Sequence, residues 1–423
     1  MKRLYTPLLT AGMVLLALAF PPAPGHAGEA VESTSGGEDE AVAAALRHSH
    51  KLARLEAEVK AEEELLGVAA FAVDNPELRL EDISTQYADS GENKKLGIGL
   101  RWRPPRLGQL GEEQQERRVT LWEKKRDAQR FRLELASRVR LVHATCATLG
   151  QSMELVRRQA ELAKATFEVV SSLVALGQRR LPDQVKARQR MVKANQEHRA
   201  VERRLAQARK KLAILTGVRE EFPVDEATDG PVVVADFDTL LKRALYRRAD
   251  VELDRQRTAL AQNRSRAETL RMVPWFSFVE LAYHHESQKD DWGELLVGFE
   301  LPFFNWNGAR YRAAKIRRGN GQDNADSARQ VVEQELSKAL GQYQETLEQW
   351  QSLKADIDDL LPASARLREE ARKNQLPADE IQALEASDME LEQTLLDARL
   401  EVAEALADLC IAAGVEDPAD LTP

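Results

Sequence analysis

The sequence repeats one long-helix pattern at an offset of about 200 residues, and this repeat limits the architecture before any residue chemistry is considered. Apolar residues at 135–174 follow an alternating spacing of four and three, and residues 332–371, 197 positions later, follow the same spacing. Each run is followed by two turn-forming residues 40 positions apart, which are Gly177 and Gly217 in the first half and Asn374 and Gly414 in the second. This spacing indicates coiled-coil seams, so the sequence predicts two long antiparallel helical hairpins.

The N-terminal residues 1–27 have the features of a secretory signal peptide. Lys2 and Arg3 precede an apolar run at 8–20, and small residues precede the predicted cleavage point. We expect residues 28–38 to form a flexible linker and the protein to be exported. The remaining chain contains no other run of 18 apolar residues, so any membrane crossing is expected to use strands rather than helices.

The two repeats have the same order of predicted elements. Residues 39–217 form the first repeat and 236–414 the second, with a linker at 218–235 and a C-terminal tail at 415–423. In the first repeat a helix (39–73) is followed by a β-hairpin (76–103) and a long helical hairpin (111–216). The second repeat has the same order, with a helix at 236–272, a β-hairpin at 274–304 and a long helical hairpin at 309–413. The apolar period changes from about 3.5 in the helices to two in the hairpins. We therefore predict a mainly α-helical chain with a small transmembrane β part.

Both predicted β-hairpins have one apolar face, which we expect to contact lipid. Its residues are Leu96, Ile98, Leu100, Trp102, Val297, Phe299 and Leu301. The opposite face carries Gly, Arg, Glu or Ser. Four strands are too few to close a barrel, and lipid does not tolerate an open sheet edge, so several chains must share one barrel. A shared barrel continued by a ring of long helices is a conduit.

Several short motifs, taken in order, resemble those of one protein family. They are the turn at Gly177, LTG at 215–217, ALYRRADV at 244–251, and GFELPFFN at 298–305 followed by Gly308. Over residues 40–414 the sequence resembles the TolC-like outer-membrane factors, the exit ducts of tripartite efflux pumps and type I secretion systems. Residues 75–81, NPELRLE, resemble the opening of the heavy-metal-type members of that family.

The resemblance implies a homotrimer that combines a barrel of twelve strands, four per chain, with a periplasmic α-barrel of long helical hairpins. It also implies passive conduction of substrates across the outer membrane of a Gram-negative bacterium. The helix tips would contact a periplasmic membrane-fusion adaptor and, through it, an inner-membrane efflux pump. The implied adaptor-docking residues are Leu176, Gly177, Gln178, Arg179, Asn374 and Gln375.

Two carboxylates just after the second predicted tip, Asp379 and Glu380, are candidates for a periplasmic gate. The resemblance implies that three copies of such acids form a constriction on the channel axis. Acids in the first turn of a helix also complement the helix dipole without any further role, and that alternative stays open.

The sequence indicates neither an enzyme nor a cofactor or metal site. It contains no nucleophile motif, no phosphate-binding loop and no acid/base pair in a predicted pocket. The histidine pairs His48/His50 and His284/His285 lack the spacing of a zinc site. The formal net charge of −9 disfavours nucleic acid as a partner.

The chain has two cysteines, Cys146 and Cys410. Export to an oxidising compartment permits a disulfide between them, and their expected heights along the helices are similar. Cys146, however, occupies an apolar seam position whose equivalent in the second repeat is Tyr343. We therefore favour two buried thiols over a disulfide.

A second hypothesis, from a different functional class, is a soluble periplasmic coiled-coil scaffold or adaptor-like binding protein. It accounts for the long helices and for the short first hairpin, in which Glu81 and Asp82 interrupt the apolar face. It does not account for the alternating aromatic and aliphatic residues at 275–283 and 295–303. Membrane fractionation combined with a heat-modifiability gel distinguishes the two hypotheses.

Overall fold

The computed structural model describes residues 37–69, 75–88, 91–218, 232–286, 290–301, 307–373 and 378–423. The first repeat contains α1 (Glu38–His48), α2 (His50–Ala69), β1 (Glu77–Ala88), β2 (Gly91–Trp102), α3 (Gln109–Ala175) and α4 (Leu181–Thr216). The second contains α5 (Phe237–Arg247), α6 (Ala249–Leu270), β3 (Trp275–Glu286), β4 (Trp292–Glu300), α7 (Gly308–Lys373) and α8 (Ala378–Ala413). The predicted fold class, mainly helical with two β-hairpins per chain, is confirmed.

The two outgoing helices, α3 and α7, have 67 and 66 residues. At about 1.5 Å per residue each is about 100 Å long, so its apolar stripe has to pack against neighbouring helices. The return helices α4 and α8, of 36 residues each, pack along α3 and α7 respectively. The observed bounds of α3 and α7 lie within two residues of the predicted ones. None of the described helices combines the length and the apolarity that a membrane crossing demands.

The first helix of each repeat is broken, a feature that the sequence analysis missed. The helix predicted at 39–73 is divided at Ser49, and the helix predicted at 236–272 is divided at Arg248. The hydroxyl of Ser49 accepts a hydrogen bond from the Leu52 N–H at 3.3 Å, so a serine N-cap was the overlooked signal. The Arg248 side chain donates to the carbonyl of Ala412 at 3.1 Å. That contact joins α5 to the end of α8, which is remote in sequence, and no local pattern predicts it.

Each repeat has its own hydrophobic core at the level where the return helix ends. In the first repeat, Val139 and Cys146 of α3 pack with Leu212 of α4 and with α1. In the second, Leu336 and Tyr343 of α7 pack with α5 and α8. Val139, Leu336 and Tyr343 are completely buried. Val139 and Cys146 therefore correspond to Leu336 and Tyr343 in the packing as well as in the sequence repeat.

The two cysteines lie in these separate cores and are free thiols. Burial raises the pKa of Cys146 to about 11 and the pKa of Cys410 to about 12. Both thiols therefore stay protonated at neutral pH, which makes them poor nucleophiles. This arrangement agrees with the interpretation of two buried thiols.

The segment predicted as a C-terminal tail, 415–423, packs into the second core. Val415 and Leu421 are buried. The carbonyl of Leu421 accepts a hydrogen bond from the Ala235 N–H at 2.8 Å, and Arg243 donates to two carbonyls of the segment at 2.8 Å. Two isolated apolar residues form no recognisable pattern in a sequence, so their burial could not be predicted.

The long helices lie side by side in a layer four helices wide, which we call the helical wall. Near the sheet the order of helices is α2, α3, α6, α7, and farther from it the order is α4, α3, α8, α7. Polar contacts join neighbours: Gln115 donates to Gln256 Oε1 at 2.8 Å, and the Ser152 hydroxyl donates to Gln393 Oε1 at 2.5 Å. One edge of the wall is formed by α2 and α4 (the α2/α4 edge) and the other by α7 (the α7 edge).

Candidate functional site

One antiparallel sheet combines the strands of both hairpins in the order β1-β2-β3-β4. Strand β2 of the first repeat pairs with β3 of the second, and Leu100 lies opposite Leu281 in that pairing. The outer strands β1 and β4 each have one partner strand within the described part of the chain. Each therefore presents a row of backbone N–H and C=O groups along its free edge.

One face of the sheet, which we call the apolar face, is exposed. Leu78, Leu100, Leu281 and Leu295 are cross-strand neighbours on it and are 48–69% exposed. The residues predicted to contact lipid are exposed as well, namely Leu96, Ile98, Leu100, Trp102, Val297, Phe299 and Leu301. A contiguous apolar surface of this kind indicates contact with lipid or with another protein.

All four strands are long enough to cross a bilayer. Strands β1, β2 and β3 have 12 residues each and β4 has 9. A tilted transmembrane strand needs about 9–11 residues. The first hairpin, which reads as short in the sequence, therefore has strands as long as those of the second.

The opposite face of the sheet, which we call the polar face, holds an ion-pair cluster that joins three strands. Arg101 Nε donates to Glu280 Oε2 at 2.7 Å, and Arg79 Nη1 donates to Glu280 Oε1 at 3.2 Å. Glu280 is 1% exposed, and its charge is balanced by the two guanidinium groups. A Cβ on Gly99 would lie 3.2 Å from Glu280 Oε1, so the glycine leaves room for the carboxylate. Sequence analysis missed this cluster because it depends on the register between strands of different repeats.

His284 and His285 lie on opposite faces of β3 because successive side chains of a strand alternate. The ring of His284 stacks on Trp292 with a centroid distance of 4.2 Å, and His285 Nδ1 is 2.6 Å from Asp291 Oδ1. Over the described ranges, no three His, Cys, Asp or Glu side chains are grouped as a metal site requires. Each histidine has its own local partner.

The first helix reversal, between α3 and α4, is a tight turn. Gly177 has a φ of 74°, and the Gln178 N–H donates to the Leu173 carbonyl at 2.9 Å, as in a Schellman motif. Leu176 is 70% exposed, Gln178 is exposed and Arg179 is half-buried. Four of the six residues predicted to dock an adaptor therefore lie together at this turn.

The residues predicted at the second reversal are only partly described. Asn374 and Gln375 lie outside the described residues. Asp379 and Glu380 are in the first turn of α8, but their side chains lie outside the described part as well. The gate and the second half of the docking surface stay predictions.

Asp388, two to three turns into α8, interrupts the apolar seam between α7 and α8. It is 9% exposed and accepts a hydrogen bond from the Ser364 hydroxyl at 2.9 Å. Its carboxylate is also 3.1 Å from Arg368 Nη2. The buried charge is therefore balanced within the chain, and it ties the two helices together close to the second reversal.

Both edges of the helical wall carry exposed apolar side chains. On α4 the exposed apolar residues are Val185, Val192 and Ile214. Each lies two positions from a buried residue, namely Ala187, Ala194 and Leu212 respectively. Two positions correspond to about 200° around a helix, so the exposed residues lie on the side opposite the buried ones. On α7, Leu360 and Leu367 were predicted in the seam within the chain but are 53% and 55% exposed. The reason is that α7 ends the wall, so one of its flanks has no neighbouring helix within the described part of the chain.

The combination of an exposed four-stranded sheet and a wall of long helices is shared with solved structures. The chain superposes on CusC, studied for its folding and transmembrane channel formation, with a TM-score of 0.72 and 17% sequence identity. The match covers 90% of this chain and 93% of the CusC chain. The chain has the fold of an outer-membrane channel.

Further solved structures share the outer-membrane-channel fold. The open state of the Neisseria gonorrhoeae MtrE outer membrane channel matches with a TM-score of 0.69 and 19% identity, over 90% of this chain and 89% of MtrE. The Campylobacter jejuni CmeC outer membrane channel matches with a TM-score of 0.65 and 14% identity, over 93% and 92% of the two chains. The sequence matches no protein-family model and has no significant similarity to a curated protein. At 14–19% identity these comparisons show a shared fold.

Proposed function

We propose that this protein is an exit duct in the outer membrane of a Gram-negative bacterium, assembled from three copies of the chain. Each copy contributes four strands to a shared barrel of twelve and its helical wall to a tunnel in the periplasm. The duct conducts substrates passively from the periplasm to the outside. The observation that carries this proposal is the exposed apolar face on strands of membrane-crossing length, continued by a helical wall with two uncovered edges.

The direction of the strands supports closure by further copies. Because β1 to β4 are successively antiparallel, β4 runs opposite to β1. Strand β4 of one copy is therefore oriented to pair antiparallel with β1 of the next, and repeating that step closes a ring. Twelve strands lie within the range of about 8–26 seen in bacterial outer-membrane barrels. Closure pairs the free strand edges, which lipid would not tolerate.

The same arrangement covers the edges of the helical wall. The α7 edge of one copy would lie against the α2/α4 edge of the next. This contact buries Leu360 and Leu367 on one side and Val185 and Val192 on the other, all of them exposed in the single chain. Removing apolar surface from water contributes about 25 cal/mol per Å². Barrel and tunnel would thus be closed by one repeated contact.

The finer assignments rest on the resemblance to the TolC-like outer-membrane factors. The turn at 176–179 lies at the end of α3 farthest from the sheet and is assigned as a docking site for a periplasmic membrane-fusion adaptor. The sequence repeat makes Asn374 and Gln375 the counterparts of this turn in the second half of the chain, and we assign them to adaptor docking as well. The adaptor would connect the duct to an inner-membrane efflux pump.

The oligomeric state and the conductance of the mature protein test the proposed function. We expect the protein to fractionate with outer membranes and to run as a compact trimer on an unboiled gel that converts to monomer on boiling. In planar bilayers it should form ion-conducting channels. A monomer that stays in the aqueous fraction without detergent would contradict the proposal and favour a soluble periplasmic scaffold.

If Asp379 and Glu380 form the periplasmic gate, multivalent cations should block the channel there. Three copies of Asp379 and Glu380 on the channel axis would place six carboxylates at one constriction, and clustered like charges attract multivalent counterions. We expect divalent or trivalent cations added on the periplasmic side to block the wild-type channel. In Asp379→Ala/Glu380→Ala the blocking concentration should rise about tenfold or more, since each tenfold corresponds to about 1.4 kcal/mol. Single-channel recording with titrated cation measures this change.

A control with the same loss of charge is available on the same helix. Glu401→Ala/Glu404→Ala removes two exposed carboxylates of α8 far from the tip and should leave the block unchanged. Open-channel conductance should be similar in all three proteins. If cations block the gate variant as readily as the wild type, Asp379 and Glu380 are ordinary first-turn acids that complement the helix dipole.

A further inference from the structure

We propose that the charges along the two edges of the helical wall select the contact between copies, so that the α7 edge of one copy binds the α2/α4 edge of a second copy in one orientation and one register. This inference rests on the proposed trimer and adds which side chains specify it. It follows from a reversal of net charge on both edges between the level nearest the sheet and the level of residues 345–359 of α7.

The first three turns of α7 are basic and uncompensated. Residues 308–319 contain five basic side chains and no acidic one, and these are Arg310, Arg312, Lys315, Arg317 and Arg318. All five are exposed, and none forms an ion pair within the described part of the chain. Unpaired like charges on one helix turn repel one another, so this segment is stabilised by any partner that brings carboxylates.

Helix geometry shows which of these side chains point away from the chain. Ala314 is 5% exposed, and a Cβ on Gly321, two turns later, would lie 3.5 Å from Ala261 of α6. This side of α7 therefore faces α6. Arg312 and Ile316 lie two positions before and after Ala314, about 200° around the helix, and Ile316 is 65% exposed. They form the uncovered α7 edge at the level nearest the sheet.

The α2/α4 edge has the opposite charge at the same level. Residues 56–69 of α2 contain five glutamates and the single basic Lys60. Three of the glutamates, Glu56, Glu58 and Glu63, form ion pairs with Arg132, Lys124 and Lys125 of α3. The other two, Glu62 and Glu64, form no ion pair within the described residues and supply the negative charge that this edge offers to a second copy.

The apolar residue on this face of α2 also matches Ile316 in height. Leu52 is 3% exposed and faces α3, whereas Leu65, thirteen positions later and so on the far side of the helix, is 47% exposed. Leu65 and Ile316 both lie within about 12 Å of the end of their helix that adjoins the sheet, at about 1.5 Å per residue. In the contact, Ile316 packs against Leu65, and Arg312 and Lys315 approach Glu62 and Glu64.

Farther from the sheet the signs of both edges reverse. Between residues 345 and 359 of α7, five exposed acidic side chains without an ion pair in the described chain, Glu345, Glu348, Asp356, Asp358 and Asp359, outnumber one such basic side chain, Lys354. On α4 the exposed Arg199, Arg203 and Arg204, which have no such pair, outnumber Glu202. The net charges of the two edges are therefore opposite at these two levels, whereas nearer the tips α7 carries the exposed basic Arg366 and Lys373.

This reversal has a consequence that a uniform charge on each edge would not have. Only one orientation brings opposite charges together at both levels, and an inverted or slipped contact places like charges against each other. Because one edge binds a different edge, the contact is heterologous, and repeated copies form a closed ring when the rotation from one copy to the next is one third of a turn. A single exposed ion pair contributes little, so the selection depends on the number of pairs acting together.

Charge reversal and rescue test the inference. The measured quantity is the fraction of detergent-extracted protein that runs as a trimer on an unboiled gel. Arg312→Glu/Lys315→Glu on α7 should lower this fraction about threefold or more. The effect should be largest at low salt, where exposed charges are least screened. Adding Glu62→Lys/Glu64→Lys in the same chain restores opposite charges at each contact and should return the trimer to the wild-type fraction.

The matched control lies inside the wall. Arg117 and Arg118 are exposed basic residues of α3 at a similar height, and α3 lies between α2 and α6. Arg117→Glu/Arg118→Glu changes the same number of charges away from both edges and should leave the trimer fraction unchanged. An equal loss in this control, or no recovery in the variant with four substitutions, overturns the proposal.

A disulfide between copies tests the register independently. The variant Leu65→Cys/Ile316→Cys places one cysteine on α2 and one on α7. Within one chain these helices are at opposite edges of the wall, so a disulfide between the two introduced cysteines must join two copies. Oxidation of the double variant should produce dimers and trimers on a denaturing, non-reducing gel, and either single variant should not produce trimers. No cross-link in a variant that still forms trimers overturns the register. A wild-type protein that is itself a monomer would instead refute the proposed function and this inference together.

Discussion

Ile98→Arg/Leu281→Arg is expected to abolish recovery of the protein as a membrane-embedded trimer while leaving the helical wall folded. Both side chains lie on the apolar face near the middle of their strands and are 41% and 62% exposed. An arginine facing lipid costs up to about 2–4 kcal/mol at the bilayer midplane and less toward the interfaces. Each change occurs in all three copies of the proposed barrel. The trimer in outer-membrane fractions should therefore fall more than tenfold, whereas the helical circular dichroism signal of the solubilised protein should persist.

Leu296→Arg is the matched control for that experiment. Leu296 is also exposed, at 41%, but it pairs with Glu280 and so lies on the polar face. An arginine there faces the aqueous lumen of the proposed barrel and should be tolerated. A soluble scaffold predicts the contrary result, because an exposed surface substitution in water usually changes stability by less than about 0.5 kcal/mol. Unchanged membrane recovery of Ile98→Arg/Leu281→Arg would show that the apolar face does not contact lipid, and equal yields of wild type and variant in the aqueous fraction would favour the scaffold.

Gly217→Val should destabilise the helical part of the protein by roughly 2–5 kcal/mol. Gly217 ends α4 with a φ of 74°, a conformation that costs about 1–2 kcal/mol for a residue with a side chain. A Cβ at this position would also meet the His48 ring at Nδ1, far inside contact distance, and such overpacking costs about 1–3 kcal/mol more. The thermal unfolding midpoint, followed by circular dichroism in detergent, should fall accordingly.

Two other glycines separate the backbone cost from the clash. Gly177 has the same φ of 74°, but in the described part of the chain no atom lies within 4 Å of the place that a Cβ would occupy, so Gly177→Val should show the backbone cost alone. At Gly414, with a φ of 72°, the atom nearest to such a Cβ is Arg248 Cγ at 2.8 Å, a smaller overlap than the one with His48 at Gly217. Arg248 is held by ion pairs with Asp250 and Glu335, so a clash adds to the backbone cost at Gly414 as well. We expect the loss of thermal stability to decrease in the order Gly217, Gly414, Gly177. Equal losses at all three positions would mean that the contact with His48 is not retained in solution.

Local periodicity and turn residues were sufficient to predict the long helices, the hairpins and the apolar face. The seam spacing predicts α3 and α7 because a helix repeats its face every 3.6 residues, and the alternation at 96–102 predicts β2 because a strand repeats its face every two. Gly177 predicts the first reversal because its left-handed conformation is costly for other residues. Each of these features depends on residues close together in the chain, so a single sequence is enough to show it.

Contacts between distant segments could not be predicted in this way. Glu280 meets Arg79 and Arg101 only because β2 of one repeat pairs with β3 of the other, and a shift of one residue in that register would turn the carboxylate to the apolar face. The order of the helices in the wall likewise decides that α7 forms an edge and that Leu360 is exposed rather than buried in a seam. Periodicity specifies which side of an element is apolar, but it carries no information about which distant element covers that side, because this choice is made by the summed packing and charge of the whole chain.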